Sequence, residues 1–221
     1  MFDDDHAPTV AQALRVTKLQ LTPHAALAEI RKELAGCESE VATGMKVLAE
    51  LGDALIAQNA QIRYEDRKLD RLVIQIAREK RATLTGAKPD EQPLFRRLFP
   101  SSPSAAMAGM PDAAQDAYVA IVQHGLGEPE NAALAAKFAG PLAEQQAAVT
   151  MAVRTRAELE MREALASATL ERALATARRR FNEAQLDAAS IMKDEALVEG
   201  LFDFRPGRAR KEKKSEAPPP G

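Results

Sequence analysis

The chain of 221 residues has no tryptophan, and its only aromatic residues are two tyrosines and seven phenylalanines. Glycine is also scarce, with 11 residues. These absences argue against a thick core built on β-sheets, which draws on aromatic and β-branched side chains. The residues that replace them are mainly Ala, Glu, Arg and Leu, a balance typical of long helices and coiled coils. The net charge of −2 provides no overall attraction to nucleic acid or to an anionic membrane.

The single cysteine, Cys37, excludes an intrachain disulfide and fits a reducing compartment. The first ten residues hold three aspartates where a signal peptide needs basic residues, and no apolar segment follows them. No apolar run approaches the roughly 18 residues of a membrane-spanning helix. We therefore predict a cytoplasmic protein without a transmembrane segment. The abundance of Ala and Arg favours a bacterial source.

Catalytic motifs are missing from the sequence. It contains no G-x-S-x-G, no P-loop, no H-E-x-x-H, and no G-x-G-x-x-G that follows a predicted strand. Its three histidines, His6, His24 and His124, are too far apart in sequence to indicate a metal cluster, and the Glu-x-x-His pair of di-iron bundles does not occur. We expect no enzymatic activity, no cofactor and no metal site.

The most regular feature of the sequence is a heptad repeat. Every seventh residue from the start of this series is a large aliphatic, and its members are Leu27, Leu34, Val41, Leu48, Leu55, Ile62, Leu69 and Ile76. A strict seven-residue repeat keeps one stripe on a partner helix only when the two helices supercoil. A second apolar series, from Leu142 to Val198 with a polar interruption in its middle, can provide that partner within the same chain.

The sequence thus predicts an all-α fold: a long antiparallel coiled-coil helical hairpin with a small helical, Pro-rich tip insertion and a disordered C-terminal tail. Thr22 and Pro23 favour a helix start as N-cap and first residue. Pro141 favours a second start, after a short helix that ends at Gly140. Five segments are predicted: an N-terminal segment with a short helix (1–22), the first long helix (23–85), the tip (86–140), the second long helix (141–200) and a basic tail (201–221).

A register for the hairpin follows from matching large residues with small ones. Close packing is favoured when Gly44 lies opposite Phe181 and Leu55 lies opposite Leu170. A parallel homodimer would also satisfy the heptad repeat, so pairing within one chain is a hypothesis. The apolar face is wider than a two-helix seam needs, which predicts docking of the N-terminal helix at one end and of the helices in 112–139 at the other, or a homo-oligomer contact.

The same register brings together the polar interruptions of the two long helices. They consist of Gln58, Glu65, Arg156, Glu160, Glu163 and Ser167. A carboxylate cluster could hold an ion or a proton. The preferred interpretation is structural: Arg156 pairs with Glu65 or Glu163 and fixes the register, as polar residues in a seam can do.

Two basic segments are candidates for binding phosphate. Arg63, Arg67 and Arg71 repeat at four-residue spacing on the first long helix, and the tail holds Arg208, Arg210, Lys211, Lys213 and Lys214. Such clusters attract phosphate groups in a salt-dependent manner. The alternative is a solvated helix face whose charge is balanced by Asp66, Asp70 and the second long helix, together with a tail that maintains solubility.

Two apolar segments are candidates for docking another protein. The tip contains Phe95, Leu98 and Phe99, and the end of the second long helix is followed by Phe202 and Phe204. Exposed aromatic residues on a loop are costly unless something covers them. Packing against the helical core of the same chain would cover them equally well.

The function predicted from these features is that of a non-enzymatic coiled-coil scaffold or adaptor that acts through protein–protein interactions, by analogy with other helical hairpins. Its partner would be another protein or a second copy of the chain, giving a homo-oligomer. The alternative is a protein that binds nucleic acid or an anionic surface with the basic tail and the stripe from Arg63 to Arg81.

Overall fold

The computed structural model describes residues 7–86, 88–109, 111 and 113–202. In this part of the chain the α-helices are α1 (Ala7–Gln20), α2 (Ala28–Thr83), α3 (Pro93–Leu98), α4 (Pro103–Ala106), α5 (Ala113–Leu126), α6 (Ala132–Met192) and α7 (Glu195–Phe202). Short 3-10 turns at Ala25–Leu27, Pro89–Glu91 and Pro129–Asn131 join some of them. No described residue lies in a β-strand. The long helices α2 and α6 pack closely as a helical hairpin. The predicted all-α hairpin fold is therefore confirmed.

The described residues form two compact units, each containing part of both long helices. The α1 unit consists of residues 7–50 and 164–202, so it also holds α1 and α7. The α5 unit consists of the described residues within 51–163, so it also holds α3, α4 and α5.

The core of the α1 unit forms where α1 and α7 cover the apolar face of the long helices. Leu34 and Val41, members of the heptad series, have no exposed surface. They belong to one buried cluster with Phe181 of α6, and the ring of Phe181 packs edge-to-face on that of Phe202 with centroids 5.4 Å apart. The N-terminal helix therefore docks on the widened apolar face, as predicted.

An ionic contact ties α1 to α2 in the same unit. Arg15 Nε donates to one carboxylate oxygen of Glu38 at 2.9 Å, and Lys18 Nζ donates to the other. Burial raises the pKa of Glu38, but the two donors outweigh this effect and hold the pKa below its usual value. A lowered pKa in the folded state means that the contact stabilises the fold at neutral pH and that this stability is lost as the pH falls.

The core of the α5 unit forms where α3 and α5 pack on the long helices. Its buried apolar residues include Leu69, Val73, Ile76, Leu98, Phe99, Val119, Val122, Phe138, Leu142 and Val149. The approach of α5 to α3 is close, since a Cβ atom at Gly125 would lie 2.8 Å from Leu98 Cδ1. Docking of α5 agrees with the prediction for this end of the long helices.

The long helices begin and end at residues that differ from the predicted ones. Thr22 is not an N-cap: its hydroxyl donates to the carbonyl of Lys18 at 3.1 Å, and the chain enters α2 through the 3-10 turn that starts at Ala25. At the other end, Lys193 has a left-handed φ of 52° and breaks the helix after Met192. A new helix, α7, then follows, with Asp194 Oδ1 accepting a hydrogen bond from Leu197 N at 3.0 Å as its cap.

Pro141 lies inside α6, and no helix end separates it from residues 132–139. The predicted break at Gly140 and Pro141 is therefore wrong. A proline inside a helix removes one hydrogen bond and crowds the preceding turn. Here Leu134, Phe138 and Leu142, spaced by one turn each, bury one face of the helix in the core of the α5 unit, which offsets that cost.

The predicted register is wrong by about three helical turns. A Cβ atom at Gly44 would lie 3.0 Å from Leu170 Cδ1 and 3.3 Å from Leu170 Cβ, so Gly44 faces Leu170 rather than Phe181. The reason is the position at which α6 begins. It starts at Ala132 instead of Pro141, so the residues that follow in α6 lie closer to the N-terminus of α2 than predicted.

Candidate functional site

The predicted arginine stripe lies on the exposed face of α2 in the α5 unit. Arg63, Arg67 and Arg71 are all exposed, and their four-residue spacing places them about 6 Å apart along the helix axis. Among the residues that the structure describes, no carboxylate lies within ion-pair distance of these three guanidinium groups. Arg81, at the end of the predicted stripe, differs because it pairs with Asp90 at 2.5 Å.

Asp66 and Asp70, which were expected to balance the charge of the arginines, form no ion pair with them. Asp66 is only 4% exposed, and its Oδ1 accepts a hydrogen bond from Gln115 Nε2 of α5 at 2.7 Å. Asp70 has a buried Oδ1 atom without a hydrogen-bond partner among the described residues. Asp66 thus serves the packing of α5 on α2, and neither Asp66 nor Asp70 forms an ion pair with the arginines of the stripe.

Glu65 is likewise engaged in the interior. It accepts hydrogen bonds from Gln145 at 2.8 Å, from Lys68 at 2.9 Å and from Gln61 at 2.7 Å. These bonds, led by that from Gln145, lower the pKa of Glu65 below its usual value. Glu65 therefore joins α2 to α6 as a charged hydrogen-bond acceptor and is not available to the arginine stripe.

The predicted ion pair of Arg156 with Glu65 or Glu163 does not form. Arg156 instead pairs with Glu160, four residues on in the same helix, at 2.8 Å. The polar contact between α2 and α6 in this region comes from Gln58, whose Nε2 donates to the carbonyl of Ala152 at 2.8 Å. Gln58 and Glu65 thus fix the register of the hairpin, which the sequence interpretation had attributed to Arg156.

Tyr64 belongs to the same exposed face and was missed in the sequence. Its residue is 58% exposed, and Lys68 Nζ lies 4.7 Å from the centroid of its ring. We call Arg63, Tyr64, Arg67, Lys68 and Arg71 the basic face. Its aromatic residue could have been found by noting that positions 60, 64, 67, 68 and 71 share one side of a helix.

The carboxyl group of Asp70 has a perturbed pKa. Burial and the neighbouring Asp66 carboxylate raise the pKa of Asp70 from 3.8 to about 6. A pKa raised in the folded state gives stability that is present below pH 4 and is lost as the pH rises through 6. Above that range the protein carries a partly buried carboxylate that has a like charge nearby and no donor on Oδ1.

We expect Asp70→Asn to stabilise the protein at pH 7 by on the order of 1 kcal/mol, after allowance for solvent screening of a partly exposed group. The gain should disappear at pH 4, where the wild-type carboxyl group is protonated. Urea unfolding at both pH values measures the difference. Asp53→Asn, at an exposed position of α2, should show no comparable change. An equal effect of Asp70→Asn at pH 4 and pH 7 would contradict the assigned cause.

The predicted docking residues that the structure describes lie in the cores. Phe95, Leu98 and Phe99 are at most 3% exposed in the α5 unit, and Phe202 is 2% exposed in the α1 unit. They are therefore not exposed for docking, and the alternative of packing against the core of the same chain holds. Phe204 lies outside the described residues, and so do the basic tail candidates Arg208, Arg210, Lys211, Lys213 and Lys214.

A different segment of the α5 unit exposes large apolar side chains among polar and charged ones. No described residue of 51–61 in α2 or 153–163 in α6 is buried. Ile56 and Met161 are 71% and 72% exposed, and Leu51 and the heptad residue Leu55 are only half-buried. Elsewhere in this unit, α3 and α5 cover the long helices.

In the part of the chain that the structure describes, no group of three or more His, Cys, Asp and Glu side chains could hold a metal ion, and no helix is long and apolar enough to cross a membrane. Comparison with known proteins found no matching family model, no similar curated protein and no similar solved structure.

Proposed function

We propose that the protein is a non-enzymatic helical-hairpin scaffold or adaptor that acts through protein–protein contacts along its long helices. The observation that supports this function is the uncovered apolar segment of the α5 unit, in 51–61 and 153–163. In this segment Ile56 and Met161 remain exposed, because the contact between two helices does not cover apolar residues outside the shared seam. A further helix, supplied by a partner or by a second copy of the chain, would cover these residues in the way that α5 covers the neighbouring turns.

The uncovered segment also explains why the heptad series continues through it. Leu55 keeps the seven-residue spacing of the buried members Val41 and Ile62, yet it is only half-buried. Large apolar side chains that are mostly exposed on both helices of one segment mark an interaction surface more often than an isolated exposed residue does. This surface replaces the aromatic residues of the tip as the candidate docking site.

The test places a photo-crosslinking amino acid at position 56 or 161 of the full chain, in cells of the native host and in purified protein. We expect defined adducts from both positions, either to a second copy or to another protein. A crosslinker at Lys32, which is exposed in the α1 unit, serves as the control. Absence of any adduct above that control, in cells and in purified protein, would contradict the proposed function.

A pair of substitutions separates binding from folding. Met161→Asp with the crosslinker at position 56, and Ile56→Asp with the crosslinker at position 161, should each remove the adducts but leave the melting temperature nearly unchanged, since substitutions at exposed positions usually change stability by less than about 0.5 kcal/mol. Leu186→Asp, at a position of α6 that is 72% exposed in the α1 unit, should leave the adducts intact. Adduct yields equal to those obtained with the crosslinker alone would count against this surface.

A further inference from the structure

We propose that the basic face of α2 (Arg63, Tyr64, Arg67, Lys68 and Arg71) binds single-stranded nucleic acid through its phosphate backbone. This activity goes beyond a scaffold function and uses a different surface of the α5 unit.

The basic face carries a row of arginines on one side of α2. A row of arginines on a helix is normally balanced by neighbouring acids, and like charges four residues apart cost the helix some stability. Here Asp66 is bonded to Gln115, and Asp70 has its Oδ1 atom buried beside it. The positive charge of the arginines is therefore exposed and unbalanced by the described residues, which is the electrostatic condition for binding a polyanion.

The spacing of the arginines suits a row of phosphate groups. Arg63, Arg67 and Arg71 cover about 12 Å of the helix axis, since each interval of four residues rises about 6 Å. When bases stack as in B-form DNA, one strand rises about 3.4 Å per phosphate, so this row spans about four stacked nucleotides and fewer of an extended strand. Guanidinium groups also match phosphate oxygens well, because their planar fork can donate two parallel hydrogen bonds.

The basic face also presents an exposed aromatic residue, Tyr64. Proteins that bind single strands combine a positively charged track with aromatic side chains on which bases stack. Tyr64 is 58% exposed beside Lys68 and between the turns of Arg63 and Arg67. A duplex would keep its bases stacked internally, so an exposed tyrosine in the row favours a single strand.

An anionic membrane is the competing partner for such a face. A helix that binds a membrane surface needs a broad apolar side to insert among the lipids. Beside the basic face the apolar side of α2 is instead buried: Leu69, Val73 and Ile76 are each at most 1% exposed. The face therefore offers charge without an insertable apolar side, which favours nucleic acid.

The experiment is a fluorescence-anisotropy titration of the purified full chain with a labelled 15-nucleotide oligothymidylate and oligouridylate at several salt concentrations. Arg63→Gln, Arg67→Gln and Arg71→Gln together should weaken binding at least tenfold at 50 mM salt. They should also lower the slope of log affinity against log salt by about 2, because about 0.7 counterions are released per neutralised phosphate of a single strand. Tyr64→Ala should weaken binding about fivefold or more without changing that slope.

The matched control removes the same charge elsewhere. Arg154, Arg179 and Arg180 are exposed arginines that pair with Glu158 or Glu183 on their own helix. Their combined replacement by glutamine should change the affinity by no more than twofold. Circular dichroism confirms that both triple variants keep the helical content of the wild type.

Three results would overturn the proposal. One is equal loss of affinity in the two triple variants, which would indicate a dependence on net charge alone. Another is unchanged binding in the stripe variant together with complete loss when Arg208, Arg210, Lys211, Lys213 and Lys214 are replaced by glutamine, which would assign binding to the tail. The last is binding of phosphatidylserine vesicles but of neither oligonucleotide, which would assign the face to an anionic membrane.

Discussion

Replacing Phe181 by alanine is expected to lower the free energy of unfolding by about 3–5 kcal/mol. Phe181 is 2% exposed and joins the cluster that includes Leu34 and Val41 of α2. Its ring also packs edge-to-face on Phe202, so the truncation removes an aromatic pair as well as buried apolar surface. The residue connects α6 to α2 and α7, and the neighbouring helices cannot collapse into the space of a whole ring.

Denaturant unfolding measures this loss, and hydrogen exchange locates it. Protection should fall first at amides of the α1 unit. Leu186→Ala, five residues farther along the same helix and 72% exposed, should change stability by less than about 0.5 kcal/mol. A loss below about 1 kcal/mol for Phe181→Ala would contradict the packing described for this unit.

Replacing Asn131 by alanine is expected to cost about 3 kcal/mol, because it leaves a buried ammonium group without its partner. Lys80 is 3% exposed, and its Nζ donates to Asn131 Oδ1 at 2.5 Å. Asn131 Nδ2 in turn donates to the carbonyl of Gly125 at 2.7 Å. This chain of hydrogen bonds links α2, the turn before α6 and the end of α5, so one substitution disturbs three elements of the α5 unit.

The control for this prediction removes both ends of the hydrogen bond. Lys80→Met combined with Asn131→Leu should recover much of the stability, since apolar groups of similar size often replace a buried polar pair at little cost. Thermal unfolding of the two single variants and the double variant gives the coupling between the sites. Additive losses in the double variant would contradict a direct partnership of Lys80 with Asn131.

Most of the hairpin could be predicted from the heptad series, because a repeat of seven specifies both a long helix and the need for a partner. The register could not, since it depends on where α6 begins. Gly140 and Pro141 are local signals for a break, whereas burial of Leu134, Phe138 and Leu142 on one face is a tertiary effect. Propensity is the weaker term when a core is available to the helix.

The candidate sites show the same difference between composition and environment. The sequence identified the arginines of the basic face but gave their partners as Asp66 and Asp70, because acids near arginines on a helix usually pair with them. The structure buries Asp66 in a hydrogen bond to Gln115 of α5 and holds Asp70 partly buried beside it, which the sequence could not show before α5 was placed. Phe95 and Phe99 are buried and therefore not exposed for docking. The sequence could not show this, because an apolar loop residue looks the same in sequence whether it is covered or exposed.

Disulfide formation within one chain tests the hairpin and its register most directly. In a Cys37→Ser background, Gly44→Cys and Leu170→Cys would place two Cβ atoms about 3.3 Å apart, close to the mean of about 3.8 Å for disulfides. Mild oxidation should therefore give a crosslinked species of monomer mass, at a higher rate than Gly44→Cys with Phe181→Cys. Disulfide-linked dimers as the main product, or faster crosslinking of the Phe181→Cys pair, would contradict the intrachain hairpin at this register.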